Sequence, residues 1–254
     1  MTGIRLDGKR ALITGATKGI GADIAKTFAA AGAALVLSGR DESELSAARN
    51  ALTDEFGVEI RTVAVDLAQP DGPARLADLA VGAFGGLDIL VNNAGISHPQ
   101  PAIDTDPALF DATMVVNLRA PALLASAVGK AMVEQGSGGS IITVASAAAL
   151  APLSDHYAYC ASKAGLVMAT KVLARELGSH GIRANSVCPT VVLTEMGQRV
   201  WGDEAKAAPM IARIALGRFA VPREVSDTVL WLASDAASMI SGVDVPVDGG
   251  YTMG

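Results

Sequence analysis

Tyr159 and Lys163 stand four residues apart in the run Tyr159-Cys160-Ala161-Ser162-Lys163. On a helix that spacing puts both side chains on one face. A free phenol, with a pKa of about 10, is a poor acid–base at neutral pH. A neighbouring ammonium favours the phenolate and should lower that value. Such a pair can give a proton to a carbonyl oxygen or take one from an alcohol. Tyr157 has no such partner, because Ala161 lies four residues on. Ser146, thirteen residues before Tyr159, offers a hydroxyl that can bond the same oxygen and stabilise an alkoxide-like transition state; as a lone serine it reads equally well as a turn or helix cap. Asn117 falls in the helix-like stretch Met114-Val115-Val116-Asn117-Leu118. Asparagine is unfavourable there, so it implies a local kink or a site for a water that links Lys163 to solvent.

A second constellation is suited to phosphate. The apolar run ending at Thr14 leads into Gly15-Ala16-Thr17-Lys18-Gly19-Ile20-Gly21. Glycines allow a sharp turn and close backbone approach, and a helix opening there presents free N–H groups to an anion. Gly15, Thr17, Lys18, Gly19, Ile20 and Gly21 are therefore candidate contacts to a dinucleotide. At the end of the second strand an acid would accept from a ribose 2′-hydroxyl, and an arginine would accommodate a 2′-phosphate. Here Gly39 is followed by Arg40; with Lys18 it makes two cations for one phosphate, which favours NADP(H) over NAD(H). Arg40 paired with the adjacent Asp41 at the surface is the plainer alternative. Asp66 and Leu67 end the third strand, where a carboxylate can accept from an adenine amino group or cap a turn. Asn93, Ala94 and Gly95, in Asn92-Asn93-Ala94-Gly95 after the fourth strand, suit close cofactor packing.

The elements that position these residues follow from apolar patterning. Short apolar runs at Arg10–Thr14, Ala34–Ser38, Ile60–Val65, Leu87–Val91, Ser140–Val144, Arg183–Val187 and Val243–Val247 read as parallel strands buried on both faces. Helical patterns lie between them, such as Ile20, Ile24 and Phe28, stopped near Gly32,. The alternation predicts an α/β fold, a doubly wound parallel sheet of about seven strands with helices on both faces. No linker-like stretch divides residues 1–254, so a single domain is expected.

Composition narrows the classes. The 254 residues are 50% hydrophobic and carry a formal charge of −6, with mean hydropathy +0.37 and pI near 5.1. The acidic balance argues against a nucleic-acid partner. No uninterrupted apolar run reaches the ~18 residues of a membrane helix, and the start, with Arg5, Asp7, Lys9 and Arg10, does not read as a signal peptide. Neither a membrane nor a metal is expected. Two cysteines, Cys160 and Cys188, form no metal or disulfide framework, and a cytoplasmic location is the default expectation.

Taken in order, the glycine motif at 14–21, Asp66, the Asn-Asn-Ala-Gly at 92–95, Asn117, Ser146, Tyr159 and Lys163 resemble the short-chain dehydrogenase/reductase family over essentially the whole chain. The resemblance implies a Rossmann-type fold, hydride transfer between a nicotinamide and a small carbonyl or alcohol, and a homotetramer. It implies Tyr159 as acid–base, Lys163 as its activator and ribose anchor, Ser146 as the substrate-oxygen partner and Asn117 as a relay residue. It also implies that Pro189, the Val192 backbone and Thr194 carry the nicotinamide. Pro189-Thr190 stands where the family has Pro-Gly. The C-terminal third, with Pro189–Thr194, then Met196-Gly197-Gln198 and Trp201, Leu216–Ala220 and Pro246–Gly250, is similar to the L-xylulose reductase-like carbonyl reductases. That similarity implies His156 and Trp201 near the substrate and a lid at about 190–218. Where that subgroup carries a glutamine after the catalytic serine, this chain has Ala147. The loss of an amide argues for a dicarbonyl or less polar ketone over a sugar. The alternatives are an NAD(H)-dependent polyol or secondary alcohol dehydrogenase, a 3-oxoacyl carrier-protein reductase, and a cofactor-binding sensor without turnover; the last predicts damage to the Tyr/Lys/Ser set, and none is visible.

Overall fold

The computed structural model describes residues 3–194, 197, 198 and 201–253, with the side chain of Lys206 left aside. Seven strands form one sheet in the order β3-β2-β1-β4-β5-β6-β7: β1 Arg10–Thr14, β2 Ala34–Gly39, β3 Ile60–Ala64, β4 Ile89–Asn92, β5 Gly139–Val144, β6 Ile182–Pro189 and β7 Asp244–Val247. Every neighbouring pair is parallel, with Leu12 level with Val36 on one side and Leu90 on the other. The chain builds outward from β1 to β3, then restarts at β4 on the far side of β1. The reversal leaves a crevice at the carboxyl ends of β1 and β4, where such sheets bind ligands.

The helices are α1 Gly19–Ala30, α2 Glu42–Phe56, α3 Gly72–Phe84, α4 Pro107–Met114, α5 Ala120–Gln135, α6 Tyr157–Leu177, α7 Glu204–Ile211 and α8 Pro222–Ala233. Alternate strand residues feed two cores. Ala11, Ile13, Leu35, Leu37, Ile89 and Val91 pack with Ile24 and Phe28 of α1 and with Val225 and Val229 of α8. Leu12, Val36, Leu90 and Ile141 pack on the opposite face with Leu76 of α3 and Leu124, Val128 and Met132 of α5. Side chains alternate across a strand, so a run apolar at every position is what two covered faces require. The continuous helix from Pro107 to Gln135 is long and apolar enough to cross a membrane by composition, but α5 buries Ala120, Leu124, Val128 and Met132 in the second core.

The expected strands all form, with shifted ends. Leu87 lies before β4: α3 stops at Gly85, which has φ +68°, and the Leu87 N–H is taken by the Gln135 side chain at 3.0 Å rather than by a strand. Val65 and Val243 fall just outside β3 and β7, whereas β6 starts one residue earlier than expected and continues to Pro189.

Candidate active site

At the end of β1 the chain turns through Gly15 at φ +63° and Gly19 at φ +56°, conformations that side-chain-bearing residues rarely adopt. A Cβ at position 21 would strike the Gly15 carbonyl oxygen and the Asn93 amide. The two helices that begin here differ at their N-termini. Asp41 caps α2 by accepting from the Ser43 and Glu44 N–H groups. Lys18 precedes α1 in extended conformation with no side-chain cap, and the first turn of α1 holds no acid. An uncapped N-terminus reached through a glycine turn fits a pyrophosphate.

Beside it runs a groove of about 740 Å³ lined by Gly15, Thr17, Lys18, Arg40, Asp66 and Leu67, with Ala94 and Gly95 closing one side. Two further candidates are placed otherwise. Ile20 packs against the first core. Asn93 uses its amide to join strand ends, donating to the carbonyls of Thr14 at 2.9 Å and Gly15 at 3.3 Å. Thr14 completes that join: its buried hydroxyl accepts from the N–H groups of Asn93 and Ala94, each at 3.0 Å. Arg40 is exposed, whereas Lys18 pairs with Glu44 at 2.6 Å. Asp66 both lines the groove and caps a turn through the Ala68 N–H at 2.9 Å. From β6, Val192 pairs with Ala220 in an isolated bridge. Thr194 approaches the glycine turn, with its Cγ2 3.2 Å from where a Gly19 Cβ would lie.

The acid–base residues come from β5 and α6. Tyr159 and Lys163 lie in the first two turns of α6. Lys163 is 4% exposed; its Nζ donates to the Val144 carbonyl at 3.0 Å and sits 5.7 Å from the Tyr159 ring centre. Burial pulls the ammonium down to about 8. The phenol is not lowered as the spacing suggested. Burial, the largest influence, pushes Tyr159 above its ordinary value, and a hydrogen bond with Ser146 works against that rise. Lys163 is not among the groups that shift Tyr159; its Nζ faces the Val144 carbonyl and the ring rather than bonding the phenol oxygen. Ser146 follows β5, and its Oγ accepts from the Ala148 N–H at 3.1 Å, so it caps a turn while lining one cavity with Tyr159.

The kink expected at Asn117 is a π-helical turn, Val115–Arg119, between α4 and α5. Its fully buried amide accepts from the Ile96 N–H at 2.8 Å and donates to the Ile96 carbonyl at 2.8 Å. A further bond at 3.3 Å reaches Ser162, next to Lys163. Asn117 thereby fixes the Gly95–Ile96 peptide beside Lys163, where a Cβ on Gly95 would come within 3.5 Å of Nζ.

A smaller cavity of about 170 Å³ adjoins Tyr159. Its polar wall is Ser97, Ser146, His156, Tyr159, Thr190 and Tyr251; its apolar wall is Ala147, Ala148, Leu153, Val191, Trp201 and Met210. His156 and Trp201 are thus brought to the site. His156 Nδ1 lies 2.7 Å from the Ser154 carbonyl, which can only accept, so Nδ1 carries the proton and a neutral ring presents Nε2 as an acceptor. The Trp201 ring rests 5.9 Å from that of Phe219. Met196, part of the resemblance, lies outside the described residues. Ser97, Met210 and Tyr251 were not anticipated; the one signal for Tyr251 was its place after the glycine pair that ends the last strand. Among the described residues no cluster of His, Cys, Asp and Glu could hold a metal ion.

An uncapped helix terminus at the switch point, together with a serine and a tyrosine that line one cavity, fits a dinucleotide-dependent oxidoreductase. Comparison with known proteins narrows the class. Residues 15–252 match a family model described as enoyl-(acyl carrier protein) reductase. The chain is 45% identical over 249 residues to L-xylulose reductase of Bos taurus, covering 98% of each chain. It is 44% identical to D-threitol dehydrogenase of Mycolicibacterium smegmatis, covering 98% of this chain and 95% of that one. The crystal structure of a gluconate 5-dehydrogenase from Burkholderia cenocepacia, in complex with NADP and tartrate, superposes with TM-score 0.94 at 33% identity, over 99% and 98% of the two chains. The protein belongs to the short-chain dehydrogenase/reductase family.

Proposed function

We propose that this protein is an NADP(H)-dependent reductase of small ketoses or dicarbonyls, with L-xylulose as the type of substrate. One observation carries the reading: Ser146 and Tyr159 line one small cavity, with Lys163 buried one helical turn beyond Tyr159. A cavity of about 170 Å³ is below the ~300–1,000 Å³ of sites for drug-sized ligands. The relatives named for xylulose and threitol support a short polyhydroxylated substrate, in spite of Ala147. Lys18 and Arg40 in the groove support recognition of a 2′-phosphate.

In this mechanism Ser146 Oγ and Tyr159 Oη hold the carbonyl oxygen. Tyr159 donates its proton as charge builds there. Burial keeps that phenol protonated until then, which suits a donor. Lys163 stabilises the phenolate left behind and holds the ribose, and Asn117 fixes the peptide that shapes this corner, with a water at the π turn linking Lys163 to solvent. A bound nicotinamide supplies the hydride; Gly15, Thr17, Lys18, Gly19, Gly21 and Arg40 would hold its phosphates, Asp66 and Leu67 its adenine, Asn93, Ala94 and Gly95 its middle, and Pro189, Val192 and Thr194 its amide. His156 and Trp201 contact the substrate, and the segment at about 190–218 covers it. Exposed apolar side chains support a homotetramer: Leu123 on α5 with Met168 and Val172 on α6, and Leu216 with Met253 beyond β7. A cytoplasmic location completes the reading.

A second reading is favoured by the carboxylates of Asp41, Glu44 and Asp66, which share the groove with the two cations. An acid there can accept from an unphosphorylated ribose, which would make the protein an NAD(H)-dependent polyol dehydrogenase. Steady-state oxidation of NADPH and NADH against L-xylulose, diacetyl and an acetoacetyl thioester separates the cases. NADPH turnover with xylulose or diacetyl supports the first reading; preference for NADH supports the second. Activity on the thioester alone rejects both in favour of a 3-oxoacyl carrier-protein reductase.

A further inference from the structure

Two residues that line the cavity beside Tyr159 carry hydroxyls that the protein leaves unbonded. Tyr251 Oη and Thr190 Oγ1 are both buried, and neither meets a hydrogen-bond partner among the described residues. Both residues line the cavity. Buried hydroxyls are nearly always paired, and an unpaired one is a place where a ligand or a bound water is wanted.

Both are held firmly. The Asp248 carboxylate accepts from the N–H groups of Gly250 and Thr252, each at 2.9 Å, and from the Thr252 hydroxyl at 2.6 Å. That closes the C-terminal turn around Tyr251. The Arg213 guanidinium lies 4.5 Å from the centre of the Tyr251 ring, and the ring, 4% exposed, packs with Ala147, Met210 and Phe219. The Thr190 N–H donates to the Val247 carbonyl at 3.2 Å. A tyrosine serving only to fill this space would do so equally well as phenylalanine, and Thr190 as valine. Across the same cavity, Ala147 contributes only a methyl group next to Ser146.

We propose that Tyr251 and Thr190 determine substrate specificity by hydrogen-bonding a substrate hydroxyl remote from the reacting carbonyl, supplying from the segments that follow β6 and β7 the polarity that position 147 lacks. The inference rests on the proposed reading of this site as a carbonyl reductase. Each hydroxyl can donate and accept, so together they suit a short ketose or polyol and gain nothing from a hydroxyl-free dicarbonyl. Both oxygens are shielded from bulk solvent. A side-chain movement at the wall is therefore part of the proposal, and Met210, an unbranched side chain that lines the cavity and packs with Tyr251, is suited to it.

The test compares wild type, Tyr251→Phe and Thr190→Val with L-xylulose, D-erythrulose and diacetyl at saturating nicotinamide cofactor, together with melting temperatures of the ligand-free proteins. Each variant should raise KM for the ketoses about tenfold or more with kcat changed far less, and leave diacetyl kinetics within about twofold. Melting temperature should hold or rise, because no protein hydrogen bond is lost. Parallel losses with all three substrates, unchanged ketose kinetics, or a lower melting temperature overturn the assignment. A wild-type enzyme that reduces diacetyl but neither ketose defeats the ketose reading itself. Ketose turnover with unaltered selectivity in both variants defeats only the role given to Tyr251 and Thr190.

Discussion

Replacing Glu44 by glutamine should tighten NADPH binding and leave NADH binding alone. Lys18 Nζ lies 2.6 Å from Glu44 Oε1, with the two side chains 71% and 37% exposed. An ion pair so open to solvent contributes about 0.2–1 kcal/mol. A 2′-phosphate that recruits Lys18 must first displace Glu44, so this amount is subtracted from NADPH binding. Removing the carboxylate should lower Kd for NADPH by about 1.4- to 5-fold. NADH has no phosphate at that position and does not compete for Lys18. Fluorescence titration of both cofactors measures the effect in wild type, Glu44→Gln, Lys18→Met and the double variant. In the Lys18→Met background the Glu44 substitution should do nothing. The gain should also shrink as salt rises, since the screening length falls from about 10 Å at 0.1 M to about 3 Å at 1 M. Equal tightening of NADH, or a gain that survives the loss of Lys18, would refute the reasoning.

Tyr159→Phe should keep nicotinamide affinity and lower kcat by about 10²- to 10⁴-fold, the usual worth of a positioned proton donor; retained turnover removes Tyr159 from the mechanism. Thr14→Val should cost about 2–3 kcal/mol in urea unfolding, because the N–H groups of Asn93 and Ala94 lose their shared acceptor, and each part-buried orphan costs about 1 kcal/mol or more. A loss below about 1 kcal/mol would mean that water replaces the hydroxyl. For Lys163, burial lowers the folded pKa to about 8 from 10.5. The folded protein therefore binds fewer protons than the unfolded chain between those values, and the stability penalty, complete below about pH 8, is relieved as pH rises toward 10.5. Lys163→Met should stabilise the ligand-free protein near pH 7 by on the order of 2 kcal/mol after the lost Val144 bond is counted, and by less at pH 9.5. An equal effect at both pH values contradicts the burial argument.

The fold was legible because its signals are local and periodic. Ala11 to Ile13 is apolar at each position since both faces of β1 are covered, and the glycine turn needs the positive φ at Gly15 and Gly19. The Tyr159/Lys163 pair was legible for the same reason, one helical turn joining them. Contacts between distant segments were not. The spacing of Tyr159 and Lys163 says that they share a face, but whether the phenol rises or falls depends on how deeply α6 is buried. Asn117 signalled a kink, but nothing in its neighbourhood shows that Ile96 takes its amide. Lys18 and Arg40 suggested a bare cationic site; Glu44 joins Lys18 only because α2 returns along the groove. Thr190 and Tyr251 line one cavity because β6 and β7, which they follow, are adjacent, a property of the sheet order and not of either segment.

The two ends of the sheet use polar groups in opposite ways. At the amino end Arg10 makes two side-chain bonds of 2.8 Å to Asp88, and its own N–H adds a third. Desolvation would raise the Asp88 carboxyl, yet these bonds hold it below the usual carboxylate range. At the carboxyl end Lys163 is stripped of water, Tyr159 is pushed up, and Thr190 and Tyr251 keep unpaired hydroxyls. Each of those groups is costly where it stands, and an apolar side chain would pack the same space without that cost. On the proposed reading, cofactor and substrate would supply the missing partners and relieve that cost in the complex. Binding should therefore order and stabilise this end in particular, as any ligand selective for the folded state stabilises it.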